Sequence, residues 1–296
     1  MNRCVDRVAL VTGASRGIGR ALAIRLAAEG ATVIAVSRST SSSDYGGSLL
    51  ETVRLIEALG GRAIAVGADV GTSEGRQHIQ AQADQLGNPV TIVVNNAAAD
   101  RAFGVGFADM TEEAFLQAVG VNVWGCWDLA ARFLPGMRSA GAGWILNVSS
   151  AQAAPRIPGS KRSTGGACLY GGTKAMLDRV TTGAAMELYD DNIAVNALAP
   201  EAAVLTEHSS DIVRQLGPSV IEPVETFVEA AMALVTLDPQ AVTGRVAYSL
   251  SLVRELKLPV FTLDGKKLMA GWQPKDIDEE RLFGGYLRQG PISSPR

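Results

Sequence analysis

Short apolar runs alternate with segments of helical period along most of the chain. Val8-Ala9-Leu10-Val11 reads as a buried strand and is followed by a glycine-rich turn. The segment after the turn carries Ile18, Ala21, Leu22, Ile24, Leu26 and Ala28 mostly on one face, which predicts a helix. Further apolar runs follow at residues 32–36, 63–66, 91–94, 144–148 and 193–197. Strands that read as near-continuous apolar runs are buried on both faces, as in a parallel sheet covered by helices. The stretches between them are long enough for crossover helices. The expected fold is α/β, a single doubly wound, Rossmann-like parallel sheet with helices on both faces.

No linker or internal repeat interrupts this pattern. Residues 39–48 are rich in Ser and Gly and read as a loop. Residues 155–166 hold prolines, glycines, Arg156, Lys161 and Arg162 and read as a long surface loop, its charges solvated. From about Ser249 the sequence turns polar and Pro/Gly-punctuated. We therefore expect a dinucleotide-binding catalytic domain over 1–250 and an extension over 251–296 packed on the same domain. The 296 residues, 47% of them hydrophobic, suffice for a sizeable core. A net charge of −3 gives no electrostatic footprint for nucleic acid. No apolar run approaches the ~18 residues of a membrane span, and no secretory leader is evident. Cys4, Cys126, Cys168, His78 and His208 are too scattered for a metal site, and thiols of this kind fit a reducing cytoplasm.

Thr12-Gly13-Ala14-Ser15-Arg16-Gly17-Ile18-Gly19 joins the first strand to the first helix. Glycines there permit a tight turn and the close approach of a pyrophosphate, and the helix N-terminus supplies N–H groups and the positive end of its dipole. The second strand ends Val36-Ser37-Arg38, without the acid that binds the ribose 2′-hydroxyl in NAD sites. Arg38 and Arg16 instead offer planar, charge-assisted donors to a 2′-phosphate, so the expected cofactor is NADP(H).

Together with later motifs, this loop resembles the short-chain dehydrogenase/reductase family. Its Asp-Val matches Asp69-Val70, and its NNAG segment appears as Asn95-Asn96-Ala97-Ala98. Its catalytic Asn and Ser match Asn122 and Ser150, with Ser149 the alternative serine, and its YxxxK signature is Tyr170-Gly171-Gly172-Thr173-Lys174. The motifs keep the family's order over residues 8 to about 206. Three departures stand out: a wide spacing of Ser150 from Tyr170, Pro200-Glu201 where the family has Pro-Gly, and Tyr248-Ser249-Leu250-Ser251 at the family's closing segment.

Tyrosine, with a usual pKa of about 10, is a weak base at neutral pH, and a nearby ammonium stabilises its phenolate. Tyr170 and Lys174 are four apart and share a face if helical. The resemblance implies that Lys174 also binds the nicotinamide ribose, that Ser150 steadies the substrate oxygen, and that Asn122 holds a water linking Lys174 to solvent. It places the nicotinamide against Pro200 and Val204, with Thr206 beside it. Residues 205–222 are then the substrate lid, with Glu207 and His208 on a solvated face, and Gln152 and the 155–166 loop supply substrate contacts. The expected function is interconversion of a ketone or aldehyde and an alcohol, in a homodimer or homotetramer paired through the helices of Asn122 and Tyr170. The alternative is a cofactor-binding scaffold with a regulatory or assembly role and little turnover.

Overall fold

The computed structural model describes residues 2–41, 47–99, 105–154, 168–206 and 221–269. Strands β1 (Val8–Thr12), β2 (Thr32–Ser37), β3 (Arg62–Gly67), β4 (Val90–Asn95), β5 (Gly143–Val148) and β6 (Ile193–Ala199) fall on the six apolar runs. With β9 (Val246–Tyr248) they form one parallel sheet in the order β3-β2-β1-β4-β5-β6-β9. A separate parallel pair, β7 (Ala203–Leu205) and β8 (Ile221–Pro223), lies beyond the end of β6. The helices are α1 (Gly17–Ala28), α2 (Leu49–Ala58), α3 (Ser73–Asp84), α4 (Glu112–Val119), α5 (Gly125–Ala140), α6 (Cys168–Glu187), α7 (Val224–Leu234) and α8 (Ser249–Leu256).

The pleat divides the strand side chains between two cores. Ala9, Val11, Val33, Ala35, Ile92 and Val94 meet Leu22 and Leu26 of α1 and Phe227 and Met232 of α7. Val8, Leu10, Ile34, Val93, Ile145 and Val195 meet Ile79 of α3, Leu129, Phe133 and Met137 of α5, and Leu188. This two-sided burial explains why the strands carry almost no polar positions. The edge strand is the exception. Arg62 and Gly67 of β3 are exposed and Ala63, Ile64 and Ala65 only half-buried, because β3 has a neighbour on the β2 side alone. The run at 63–66 is therefore not buried on both faces as expected.

Past Tyr248 the chain is less polar in structure than in text. Helix α8 crosses the boundary expected at 250; it buries Leu250, and it packs Leu252 and Val253 into the core on the α7 side of the sheet. A bridge between Phe261 and Leu268 closes a short turn beyond it. That turn is fastened to α1, since Arg25 donates to the Thr262 carbonyl at 3.1 Å. Residues 270–296 lie outside the described part. Cys4 and Cys126 are buried and Cys168 is exposed, all with free thiols. Among the described residues no helix is long and apolar enough to cross a membrane.

Arg25 also anchors a buried ion cluster. Its guanidinium lies 3.0 Å from Glu29 and 2.8 Å from Glu229 of α7, and Arg3 reaches the same two carboxylates at 2.7 and 2.8 Å. Burial pushes the Glu29 carboxyl up, but the hydrogen bonds and charges of Arg3 and Arg25 outweigh it and hold the group below the usual range. Removing one partner from such a cluster strands the others without water. Arg25→Met should therefore lower unfolding stability by about 3–5 kcal/mol, measured by urea denaturation. An unchanged urea midpoint would contradict this.

Candidate active site

Strands β1 and β4 are neighbours in the sheet, yet their connections leave in opposite directions, toward β2 and toward β5. At such a switch point the carboxyl ends of the strands open a crevice. A cleft of about 1070 Å³ lies there. Its walls include Gly13, Ser15, Arg16, Gly17, Ile18 and Gly19 from the first turn, Ser37 and Arg38 from β2, and Asp69 and Val70 after β3. Asn96, Ala97 and Ala98 after β4, and Pro200, Val204 and Thr206 after β6, complete the set expected from sequence apart from Tyr170 and Lys174.

The glycines are required by space. Gly13 has φ +67°, a left-handed backbone that a side chain would strain, and a Cβ there would meet the Asn96 amide. A Cβ on Gly19 would collide with the Gly13 carbonyl oxygen and the same amide. Helix α1 begins without a side-chain cap and without an acid in its first turn. Helices α2, α3 and α4 are capped by Ser48, Thr72 and Thr111 and carry acids there. The N–H groups of the α1 terminus thus face the cleft with the dipole uncompensated, which suits a phosphate.

Two polar ties hold the turn in place. Buried Arg20 donates to the Ser15 carbonyl at 2.7 Å and to Thr52 Oγ1 at 3.1 Å, and pairs with Glu51 at 2.7 Å. Thr52 in turn donates to the Ala14 carbonyl at 2.9 Å. From the other side, the Asn96 and Ala97 amides donate to Thr12 Oγ1 at 2.9 and 3.0 Å, and the Asn96 side chain donates to the Thr12 carbonyl at 2.8 Å.

At the β2 end of the cleft stand Ser37, exposed Arg38 and half-buried Arg16, with no carboxylate on the last turn of the strand. The Asp69–Val70 wall is fixed by an Asp69 side chain that accepts the Gly71 amide at 2.8 Å and by Arg76, which donates to the Val70 carbonyl at 2.8 Å. Arg76 pairs with Asp128 at 2.5 Å. Leu116 and Gln117 of α4, with Val121, also line the cleft. Leu116 and Gln117 belong to no motif and arrive through helix packing, whereas Val121 directly precedes Asn122.

Between α4 and α5 the chain makes one π-helical turn, Gly120–Trp124, which sets Asn122 inward. Asn122 is fully buried; its Oδ1 accepts the Ala99 amide at 2.8 Å and its Nδ2 donates to Thr173 Oγ1 at 3.0 Å. Thr173 passes the connection on by donating to the Tyr170 carbonyl at 2.8 Å. Lys174, only 2% exposed, donates from Nζ to the Val148 carbonyl at 2.6 Å, and the same atom lies 5.7 Å from the centre of the Tyr170 ring. Ser150 caps the short turn Ala151–Ala153, accepting the Gln152 amide at 3.2 Å. That turn presses on α6, since a Cβ on Gly171 would stand 2.5 Å from the Gln152 carbonyl oxygen. Ser150 is half-buried whereas Ser149 is buried, so Ser150 is the more open of the two.

Asn122 and Tyr170 thus pack beside Ala99 and Val121, which line the cleft, with Lys174 next to the Tyr170 ring and Ser150 on the turn that packs against α6. Two titratable neighbours were not anticipated. Burial pushes the Cys126 thiol up to about 11, and its Sγ sits 3.4 Å from the Asn122 carbonyl. Burial also pushes the Asp178 carboxyl, one turn beyond Lys174, up to about 6 despite the nearby Ser149 hydroxyl and Lys174 ammonium. Thr206 stands against the glycine turn, 3.9 Å from where a Gly17 Cβ would be. Most of the expected lid (207–220, with Glu207 and His208) and the loop at 155–167 (with Arg156, Lys161 and Arg162) lie outside the described residues.

A family model described as short chain dehydrogenase matches residues 7–217. The chain is similar to oxidoreductase UcpA of Salmonella typhimurium, with 31% identity over 83% of this chain and 88% of the relative. Among solved structures it resembles a putative short-chain alcohol dehydrogenase from Sinorhizobium meliloti (TM-score 0.71, 30% identity, 83% of this chain and 95% of the other). It also resembles L-sorbose reductase from Gluconobacter frateurii complexed with NADPH and L-sorbose (TM-score 0.72, 26% identity, 84% and 97% covered).

Proposed function

The chain belongs to the short-chain dehydrogenase/reductase family and is an oxidoreductase, and from that premise we propose that it interconverts a ketone or aldehyde and an alcohol with NADP(H). The observation that carries the reading is buried Lys174, its Nζ 5.7 Å from the centre of the Tyr170 ring, with Asn122, by way of Thr173, holding the Tyr170 backbone carbonyl. A buried ammonium next to a phenol is an arrangement for moving a proton, since it stabilises the negative charge left on the tyrosine oxygen.

When bound, the nicotinamide supplies or accepts the hydride. In the reducing direction Tyr170 gives its proton to the carbonyl oxygen of the substrate, while Ser150 donates a hydrogen bond to that oxygen as charge develops. Asn122 uses both ends of its side-chain amide on Ala99 and Thr173. A water held for Lys174 would take the second Nδ2 hydrogen or the backbone carbonyl, which Cys126 approaches at 3.4 Å. The glycine turn and the open α1 terminus fit a pyrophosphate, and Pro200, Val204 and Thr206 fit the far side of a nicotinamide. Arg38 and Arg16, with no acid at the end of β2, support NADP(H) over NAD(H). The NADPH complex of the similar L-sorbose reductase points the same way.

The helices that carry Asn122 and Tyr170 also expose large apolar side chains. Trp124 and Trp127 of the π turn and α5 are 53% and 52% exposed, and Met176 and Met186 of α6 are 50% and 83% exposed. Apolar surface of this kind on two adjacent helices fits a second copy of the chain. The free thiols and the absence of a membrane-spanning helix among the described residues accord with a cytoplasmic setting.

Tyr170→Phe should reduce turnover of every accepted ketone or alcohol by about 10²–10⁴-fold while leaving cofactor binding intact. Turnover at full rate in that variant would remove Tyr170 from the chemistry and favour the scaffold reading. Trp127→Glu should lower the mass seen by light scattering by at least one subunit. An unchanged mass would put the interface elsewhere.

A further inference from the structure

Two buried carboxyl groups stand behind the Pro200 wall of the cleft. Glu201 takes the place of a family glycine, and a glutamate in an apolar interior needs partners. It finds them at the start of α8, where its carboxylate accepts the Ser251 amide at 2.7 Å and the Ser251 hydroxyl at 2.8 Å. The site is a helix N-terminus, where a negative charge is stabilised by the dipole and by otherwise unused N–H groups.

Glu222 is the second group and is completely buried. It lies in β8 directly opposite Val204 of β7, the strand that lines the cleft. Both of its carboxyl oxygens rest on the Ser249 hydroxyl, at 2.8 and 2.9 Å, and the same hydroxyl accepts the Glu201 amide at 3.2 Å. Ser249 therefore joins the two glutamates through one oxygen. The groups acting on Glu222 are the Glu201 carboxylate from the β6–β7 turn, the Ser249 hydroxyl of α8, and the Glu201 and Ala202 amides. Arg245, on the residue before β9, is paired with Glu255 at 2.6 Å. Burial pushes the Glu222 carboxyl up to about 8, with the Ser249 hydroxyl opposing the shift and the Glu201 charge adding to it.

We propose that Glu201 and Glu222, joined through Ser249, are a positioning pair that fixes the cleft wall after β6, and that the pair holds only one negative charge, so that ionisation of the second carboxyl releases the wall. Glu201 sits at the α8 terminus, bound to the Ser251 amide and hydroxyl. Glu222 stays protonated and ties β8 and the Glu201–Ala202 backbone to α8. A glycine at this position has no carboxylate to reach Ser251; here the wall is pinned from behind. The effect on the bound nucleotide rests on the cofactor reading above, whereas the tie itself does not.

The sign follows from linkage. The folded pKa of Glu222 lies above its ordinary 4.5, so its contribution to stability is complete below pH 4.5 and is lost as pH rises toward about 8. Two measurements on the full chain test the pair: melting temperature against pH without cofactor, and NADPH affinity against pH. The wild type should lose melting temperature relative to Glu222→Gln between those two values and run parallel above. Its NADPH Kd should weaken about tenfold from pH 7 to pH 9, as expected for one proton taken up on binding, while Glu222→Gln stays flat. Glu201→Gln removes the neighbouring charge and should move the wild-type transition to lower pH, a shift that a purely structural role does not produce. A Glu222→Gln profile that follows the wild type, or an unmoved midpoint in Glu201→Gln, would overturn the pair. Failure of the wild type to bind NADPH at any pH would sink the cofactor reading, and the melting profiles would still decide on the pair.

Discussion

The parallel pairing of β1 with β4 is the constraint from which the site follows. Two strands far apart in sequence end side by side, and the chain leaves them toward opposite edges of the sheet. The crevice left between their ends is narrow, so the turn after β1 must pass within contact distance of the residues after β4. Gly13 and Gly19 permit that approach, and Asn96 and Thr12 fasten it. A helix terminus with free N–H groups is left pointing into the opening, and the other walls are placed relative to it by the sheet register.

Charge is the second theme, since most of the buried ionic groups near this frame are paired for positioning. Arg20 holds the glycine turn to α2, Arg76 holds the Asp69–Val70 wall to α5, and Arg25 binds α1 to α7 and to the turn at 262. Such pairs add little net stability against an apolar core but make alternative arrangements expensive. Lys174 is different. Its ammonium donates to the Val148 carbonyl and lies beside the Tyr170 ring, with the Asp178 carboxyl one turn away. Glu201 and Glu222 are the buried carboxyl counterparts to the arginine pairs, Glu201 held by the Ser251 amide and hydroxyl and Glu222 by the Ser249 hydroxyl.

Much of this was legible in the residues. The six apolar runs marked six strands of the sheet, and for the five inner ones burial on both faces leaves no room for polar alternation. The glycine turn, Asn122, Ser150, Tyr170 and Lys174 stood out because the family resemblance sets both residue type and order. Strand β9 is only three residues long and too short to register as a run, and α8 was hidden by serines that prove to be inward-facing partners for glutamates. The exposed edge of β3 was misread because its composition matches a central strand. Leu116 and Gln117 carry no local signature and only tertiary packing brings them to the site, whereas Asp178 follows Lys174 by one turn of the same helix.

The central claim is that the cleft at the β1/β4 crevice is built for a nicotinamide dinucleotide carrying a 2′-phosphate. Calorimetric titration of the chain with NADPH and with NADH, repeated on Arg38→Asp, tests it most directly. The account predicts that NADPH binds about 10- to 100-fold more tightly than NADH, as charge-assisted hydrogen bonds to the phosphate imply, and that Arg38→Asp erases most of the difference. Equal affinities, or tighter binding of NADH to the unaltered chain, would contradict it.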